Sequence, residues 1–286
     1  MSVALELRPR GPYSLALTAR LASDATRTFR DGVLTAAVDG ELVRAWQRPE
    51  GAVEVSATNE SVVPRLRFVL ALDDDHSEFL RRFADDELLR EPVRQLRGLR
   101  VVRTPTVAGA LLRALCGQLI ASKHARELER AIVRATSPRR ADYLREPPTR
   151  ESLRVHSPAK LRALGLHARR GATLMRLLES LDPERLRDVP IDTAAARLQR
   201  ERGLGPWSVG VVALQGLGSY QVGLVGDLGL MKLCAALRGR WVEAAETAEL
   251  LEPYAEWAGL ASVYLLAGFA RGLIPLPHGA RARRAA

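Results

Sequence analysis

The chain carries only two cysteines, Cys116 and Cys234, in 286 residues. Both fall in apolar helical patterns, so they read as buried thiols in a reducing compartment. No apolar run reaches transmembrane length, which points to a soluble protein without a membrane-spanning segment. The N-terminus lacks the basic and apolar regions of a secretion signal, so a cytoplasmic location is expected. Repeats that would suggest a solenoid are absent. Lysine is scarce: the basic residues are almost all arginine, and no lysine stands between Lys160 and Lys232.

Hydrophobic residues make up 47% of the chain, and the net charge is +10 with a pI near 10.5. That length and composition can bury a large core in two or three subdomains. The charge fits nucleic-acid binding. It fits an arginine-favouring codon bias equally well, so charge alone leaves both readings open.

The first hundred residues differ from the rest. Segments 14–20, 33–38, 41–48, 52–57 and 65–72 alternate in polarity or carry β-branched residues, and Asp31-Gly32 and Asp39-Gly40 are strong hairpin punctuation. An antiparallel sheet with a helical piece near 23–30 is predicted. From Asp73 onward the pattern is helical. Asp73-Asp-Asp-His-Ser77 opens this part, with His76 expected as a solvated cap residue. Helices are predicted over 85–96, 107–119, 122–136, 172–181 and 228–237, with a cap-then-proline start at Ser157-Pro158. The arginine-rich end, 278–286, is expected to be disordered.

One stretch organises the helical part: Gln199-Arg-Glu-Arg-Gly-Leu-Gly-Pro-Trp-Ser-Val-Gly-Val212. It reads as two helices pinched around Gly203-Leu204-Gly205, the first opening near Asp192 as N-cap. The glycines permit a very tight turn, and Pro206 suits the first turn of the second helix. The N–H groups of Gly203, Gly205 and Ser208 could then converge on a phosphate at a helix N-terminus. By itself this is also an ordinary helix–helix connection. Gly226-Asp227 follows about twenty residues later and opens another helical run. Asp is a common N-cap, so a purely structural role for Asp227 stays open.

The pairing of this hairpin with Asp227 resembles the helix–hairpin–helix glycosylase superfamily, closest to the 3-methyladenine DNA glycosylase II family. Leu115-Cys-Gly-Gln-Leu-Ile-Ala-Ser122 resembles the family's Gly-Gln-x-x-Ser segment, and Leu164-Gly-Leu166 before Arg169-Arg-Gly-Ala172 resembles the turn before a long helix. The resemblance covers about 99–269 well and the first hundred residues weakly. It implies an α+β protein: a small antiparallel N-terminal domain (1–98), a mostly helical helix–hairpin–helix domain of two lobes (99–276), and a basic tail (277–286). Members often place aromatics in the first strand and helix, whereas here only Tyr13 and Phe29 are nearby. Some relatives carry a four-cysteine iron–sulfur loop, which this chain cannot ligate.

The resemblance also assigns roles. Asp227 would stabilise an oxocarbenium-like sugar while the N-glycosidic bond breaks, and orient or deprotonate the attacking water. Bifunctional members have a lysine after the hairpin proline whose amine forms a Schiff base; Trp207 stands there instead. This implies a monofunctional enzyme that leaves an abasic site. An indole face suits a methylated, cationic purine, with a cation–π gain of about 0.5–2 kcal/mol. Trp257 matches a second pocket tryptophan, with core packing as its alternative. Val211, one turn after Trp207, replaces the aromatic of broad-range relatives. Gln118 and Leu119 would enter the duplex where the flipped base has left. The backbone carbonyls of Gln199, Glu201 and Leu204 would hold a monovalent cation, with no other cofactor required. The expected partner is duplex DNA with damaged bases, bound by a monomer at the nucleoid. Two alternatives remain: a glycosylase for deaminated or oxidised bases, and a lesion-binding protein without catalysis.

Overall fold

Five strands form one antiparallel sheet in the computed structural model, which describes residues 3–141 and 143–277. They are β1 (Val3–Leu7), β2 (Arg27–Arg30), β3 (Val33–Val38), β4 (Glu41–Gln47) and β5 (Val53–Ala57), in spatial order β1-β5-β4-β3-β2. Asp31-Gly32 and Asp39-Gly40 join β2 to β3 and β3 to β4. All four residues have positive φ (50°, 76°, 46° and 77°), the primed-turn geometry that matches strand twist. One sheet face buries Leu34, Ala36, Val38, Val43, Ala45, Val53 and Val55 with Leu15 and Ala19 of α1 (Leu15–Ala19) and Leu66 and Val69 of α2 (Val63–Val69).

Three predicted elements change type. Segment 14–20 is helix α1 rather than a strand, because the Ser14 hydroxyl accepts the Leu17 N–H at 3.2 Å and nucleates a turn. Segment 23–30 is not helical. Asp24 Oδ1 accepts N–H bonds from Thr26 (2.7 Å) and Arg27 (3.1 Å), closing a turn that feeds β2. Segment 65–72 is mostly helix α2, started by Pro64 in its first turn after an Asn59-capped 3₁₀ turn. Strand β1 carried no recognised signal.

The helical part begins with α3 (Ser77–Arg82) and α4 (Arg90–Gln95). Helix α4 starts later than predicted, because Asp86 Oδ1 accepts the N–H groups of Leu88 and Leu89 in a separate turn. Phe79 and Leu80 of α3 and Val93 of α4 lie in the helical core. His76 is not a solvated cap. It is 2% exposed, makes no capping bond, and meets Tyr220 edge-on at 4.8 Å. Burial, then the charges of Arg100 and Arg103, push its pKa down to about 3.

Next come α5 (Val107–Gly117), α6 (Ser122–Thr136), α7 (Arg150–Arg154), α8 (Pro158–Ala163) and α9 (Ala168–Ser180). Helix α5 is the central rod: from Val107 to Cys116 only Arg113 escapes full burial. Thr106 caps it, and Glu184 Oε1 accepts the N–H groups of Val107 and Ala108. Arg113 ties α5 to the sheet part through Asp24 (2.6 Å) and to α6 through Glu129 (2.8 Å). Then follow α10 (Ile191–Gln199), α11 (Pro206–Val212), α12 (Leu228–Arg238), α13 (Glu246–Leu251) and α14 (Ala258–Arg271). Asp192 is not the N-cap of α10; Pro190 holds that place, and Asp192 lies in the first turn. No described helix is long and apolar enough to cross a membrane. The predicted tail, 278–286, lies outside the described residues.

Candidate active site

Helices α10 and α11 flank the hairpin as predicted. Gly203 takes φ +96°, and a Cβ there would meet Thr173 Oγ1 of α9 at 2.6 Å, so only glycine lets the turn lie against α9. Gly205 is extended, not left-handed, and acts as N-cap of α11 with Pro206 in the first turn. Gly203 and Gly205 are exposed. Ser208 is 1% exposed, and its Oγ accepts from Gln118 Nε2 at 2.9 Å, so its side chain is turned toward α5.

Asp227 is the N-cap of α12 and uses its two oxygens differently. Oδ1 accepts the N–H groups of Gly229 (2.8 Å) and Leu230 (3.3 Å), while Oδ2 accepts the indole N–H of Trp207 (2.9 Å). The second helix of the hairpin thus delivers an indole directly to the carboxylate. Both residues are half-buried. The other end of the Trp207 ring, Cη2, lies so close to α5 that a Cβ on Gly117 would sit 2.5 Å from it. Glycine at 117 is therefore required for this ring position. The segment carrying Asp227 is pinned from behind: the Gly226 N–H donates to Thr247 Oγ1 (2.7 Å) and the Leu224 N–H to Ser262 Oγ (3.1 Å). Gly117 was noticed only as part of the Gly-Gln-x-x-Ser segment, without its Trp207 contact, and Thr247 and Ser262 were missed, being isolated hydroxyls within helical runs.

Helix α5 ends at Gly117 rather than at Leu119. Leu119 then takes φ +55° and leaves its side chain 89% exposed, so core packing does not account for it. Gln118, its neighbour, is turned inward: its Nε2 donates to Gly203 O (2.8 Å) as well as to Ser208 Oγ. Val211 is 5% exposed within the helical core. The ring contact of Trp257 is with Phe79 at 5.8 Å, and its buried Nε1 has no hydrogen-bond partner. Among the described residues no ring contact or hydrogen bond joins Trp257 to Trp207 or Asp227. Cys116 and Cys234 are free and buried, and burial pushes both thiol pKa values up.

Comparison with solved structures identifies the fold. The chain superposes on a 3-methyladenine DNA glycosylase from Archaeoglobus fulgidus with a TM-score of 0.81 at 20% identity, covering 93% of this chain and 98% of that one. In sequence it is 27% identical over 238 residues to the DNA-3-methyladenine glycosylase of Bacillus subtilis (strain 168), spanning 79% of this chain and 75% of that protein. The chain shares the fold of helix–hairpin–helix DNA glycosylases and resembles them in sequence. A further relative, the probable bifunctional transcriptional activator/DNA repair enzyme AlkA of Mycobacterium tuberculosis (strain CDC 1551 / Oshkosh), is 31% identical over 173 residues. That match covers 58% of this chain and 34% of the relative. No family profile matches the chain. In this chain Asp227 stands after the hairpin, with Trp207 hydrogen-bonded to it.

Proposed function

We propose that this glycosylase hydrolytically removes alkylated purines, of the 3-methyladenine and 7-methylguanine type, from duplex DNA after flipping the base. The observation that carries the reading is the Asp227 carboxylate held by Trp207 and by the α12 N-terminus beside the hairpin. A methylated purine is cationic, so it stacks on the indole face with a cation–π gain of about 0.5–2 kcal/mol. It is also a good leaving group. As the C–N bond breaks, its electron pair goes to the departing base, which leaves neutral. Positive charge grows on the sugar, and Asp227 stabilises it. Water then adds to the anomeric carbon, and its proton passes to the carboxylate or to solvent. The residue after Pro206 is Trp207 rather than a lysine, which supports water and not an amine as nucleophile. The product is an abasic site without strand cleavage.

Leu119 serves as the wedge that replaces the flipped base in the stack. Gly203 and Gly205 offer N–H groups to a phosphate. The hairpin carbonyls suit a monovalent cation: among the described residues no hydrogen bond reaches the carbonyls of Gln199 and Leu204, and that of Glu201 accepts one, from Leu204 N. Such a cation would supply positive charge at the hairpin beside the phosphate. The enzyme works as a monomer on damaged duplex DNA at the nucleoid, and the +10 charge makes its affinity fall steeply with salt.

The test is release of free base from methylated duplex DNA, with the product strand examined before and after alkali. Free 3-methyladenine with strand breaks only after alkali is the expected result. Breaks without alkali would overturn the monofunctional reading, and no base release would overturn the substrate class.

A further inference from the structure

We propose that Gln118 is a positioning residue that bolts the Leu119 wedge to the hairpin, and that it does not itself enter the duplex. The proposal rests on the glycosylase reading above. The side-chain amide of Gln118 has two donor hydrogens, and both are committed: one to Gly203 O at the hairpin turn (2.8 Å), the other to Ser208 Oγ in the first turn of α11 (2.9 Å). Entering the base stack would break both. Leu119 is free of such ties and 89% exposed.

The bolt lies at a junction. One residue back, Gly117 lies against Trp207 so closely that a Cβ would be 2.5 Å from the ring. One residue on, Leu119 holds a left-handed φ of +55°, a conformation that non-glycine residues adopt only when their surroundings enforce it. Ser208 follows Trp207, and the Trp207 indole reaches Asp227 Oδ2 at 2.9 Å. The wedge, the phosphate-facing turn and the carboxylate are thereby joined through Gln118 and Gly117. A wedge seated in DNA and a carboxylate aimed at the sugar are held by the same rigid unit, as a preorganised site requires. The role of Gln118 is to keep that spacing fixed.

The experiment compares wild type, Gln118→Ala, Gln118→Glu, Ser208→Ala and the Gln118→Ala/Ser208→Ala double variant. Single-turnover base release is measured on methylated DNA that is duplex, with each opposing base in turn, and single-stranded. A glutamate keeps the size of Gln118 but cannot donate to Gly203 O. Both Gln118 variants should lose about fivefold to thirtyfold, the worth of one to two ordinary hydrogen bonds. The loss should appear on single strand as well as duplex, be at least as large on duplex where the wedge also acts, and be independent of the opposing base, and the double variant should cost little more than Gln118→Ala. Leu119→Ala, in contrast, should lose rate on duplex only. Amide hydrogen exchange at 203–208 in the free protein should quicken in both Gln118 variants. A loss confined to duplex, or one that depends on the opposing base, would overturn the proposal. Should wild type release no methylated base, the glycosylase reading fails on its own. Exchange then decides the bolt: unchanged protection at 203–208 refutes it, and faster exchange sustains it.

Discussion

Asp227→Asn separates the cap that this carboxylate makes from the charge stabilisation proposed for it. Asparagine is about as good an N-cap as aspartate, so its carbonyl can still accept the N–H groups of Gly229 and Leu230. What goes is the charge. Its NH₂ group also meets the Trp207 N–H, donor against donor, where Oδ2 accepted at 2.9 Å. An oxocarbenium charge about 4 Å from the carboxylate, at an effective dielectric of about 20 for this half-buried position, is worth roughly 4 kcal/mol. At 1.4 kcal/mol per tenfold, excision should fall by about 10³. The lost Trp207 bond costs the fold only about 0.5–1.5 kcal/mol. Melting should therefore drop by no more than roughly 5 °C in a chain of this size.

Asp227→Ala is the companion variant. It removes the charge and the cap together, so it should be as inactive and should lose about a further 1 kcal/mol of stability. Single-turnover release of 3-methyladenine gives the rates, and thermal melting gives the stabilities. If the asparagine variant melts as expected yet keeps more than about a tenth of the wild-type rate, Asp227 is a cap and nothing else. The electrostatic argument would then be wrong.

Three other outcomes follow from the same geometry. Trp207→Phe keeps an aromatic face but deletes the N–H that Asp227 accepts; a charge-assisted bond at a half-exposed site supports a loss near tenfold in single-turnover rate. Trp207→Ala should lose further on cationic bases than on neutral ones, and equal losses would remove the stacking role. Leu119→Ala deletes an 89% exposed side chain, so its melting temperature should match wild type, while binding to duplex carrying an abasic site weakens. Unchanged binding would dismiss the wedge. His76 has its pKa lowered from 6.5 to about 3. Between those values the unfolded chain binds the extra proton, so the stability is complete above pH 6.5 and is lost as pH falls toward 3. The slope approaches 1.4 kcal/mol per pH unit. In His76→Phe the melting temperature should fall less steeply between pH 6.5 and 4.5, and parallel curves would refute the assignment.

What was legible in the sequence was punctuation. Asp31-Gly32 and Asp39-Gly40 have few backbone options, so β3 and β4 were read nearly to the residue. Ser157-Pro158 fixed the start of α8, and 122–136 is helix α6 to the residue. Misreadings occurred where one side-chain bond outweighs a polarity pattern. The Ser14 cap turns an alternating segment into α1, and the Asp24 turn converts an apparent helix into β2. Burial of His76 was invisible for another reason. Its setting is made by Tyr220, Arg100 and Arg103, which reach it only through tertiary packing.

The site divides in the same way. Asp227, Trp207, Gly203 and Leu119 were candidates because motif spacing marks them, whereas the inward turn of Gln118 and the burial of Ser208 and Val211 depend on how α5 meets α11. The sequence left cap and catalyst open at Asp227, and in the structure the cap is compatible with the proposed catalytic role. Oδ1 is spent on the first turn of α12, and that pair of bonds fixes the side-chain torsion. With the torsion fixed, Oδ2 has one direction left, and Trp207 meets it there. A carboxylate free to rotate would reorganise as charge develops on the sugar, and that reorganisation is the cost a preorganised site avoids. The cap is therefore part of how the carboxylate is aimed. A variant that moved the cap to a neighbouring residue while leaving Asp227 in place should lose rate even though the charge remains.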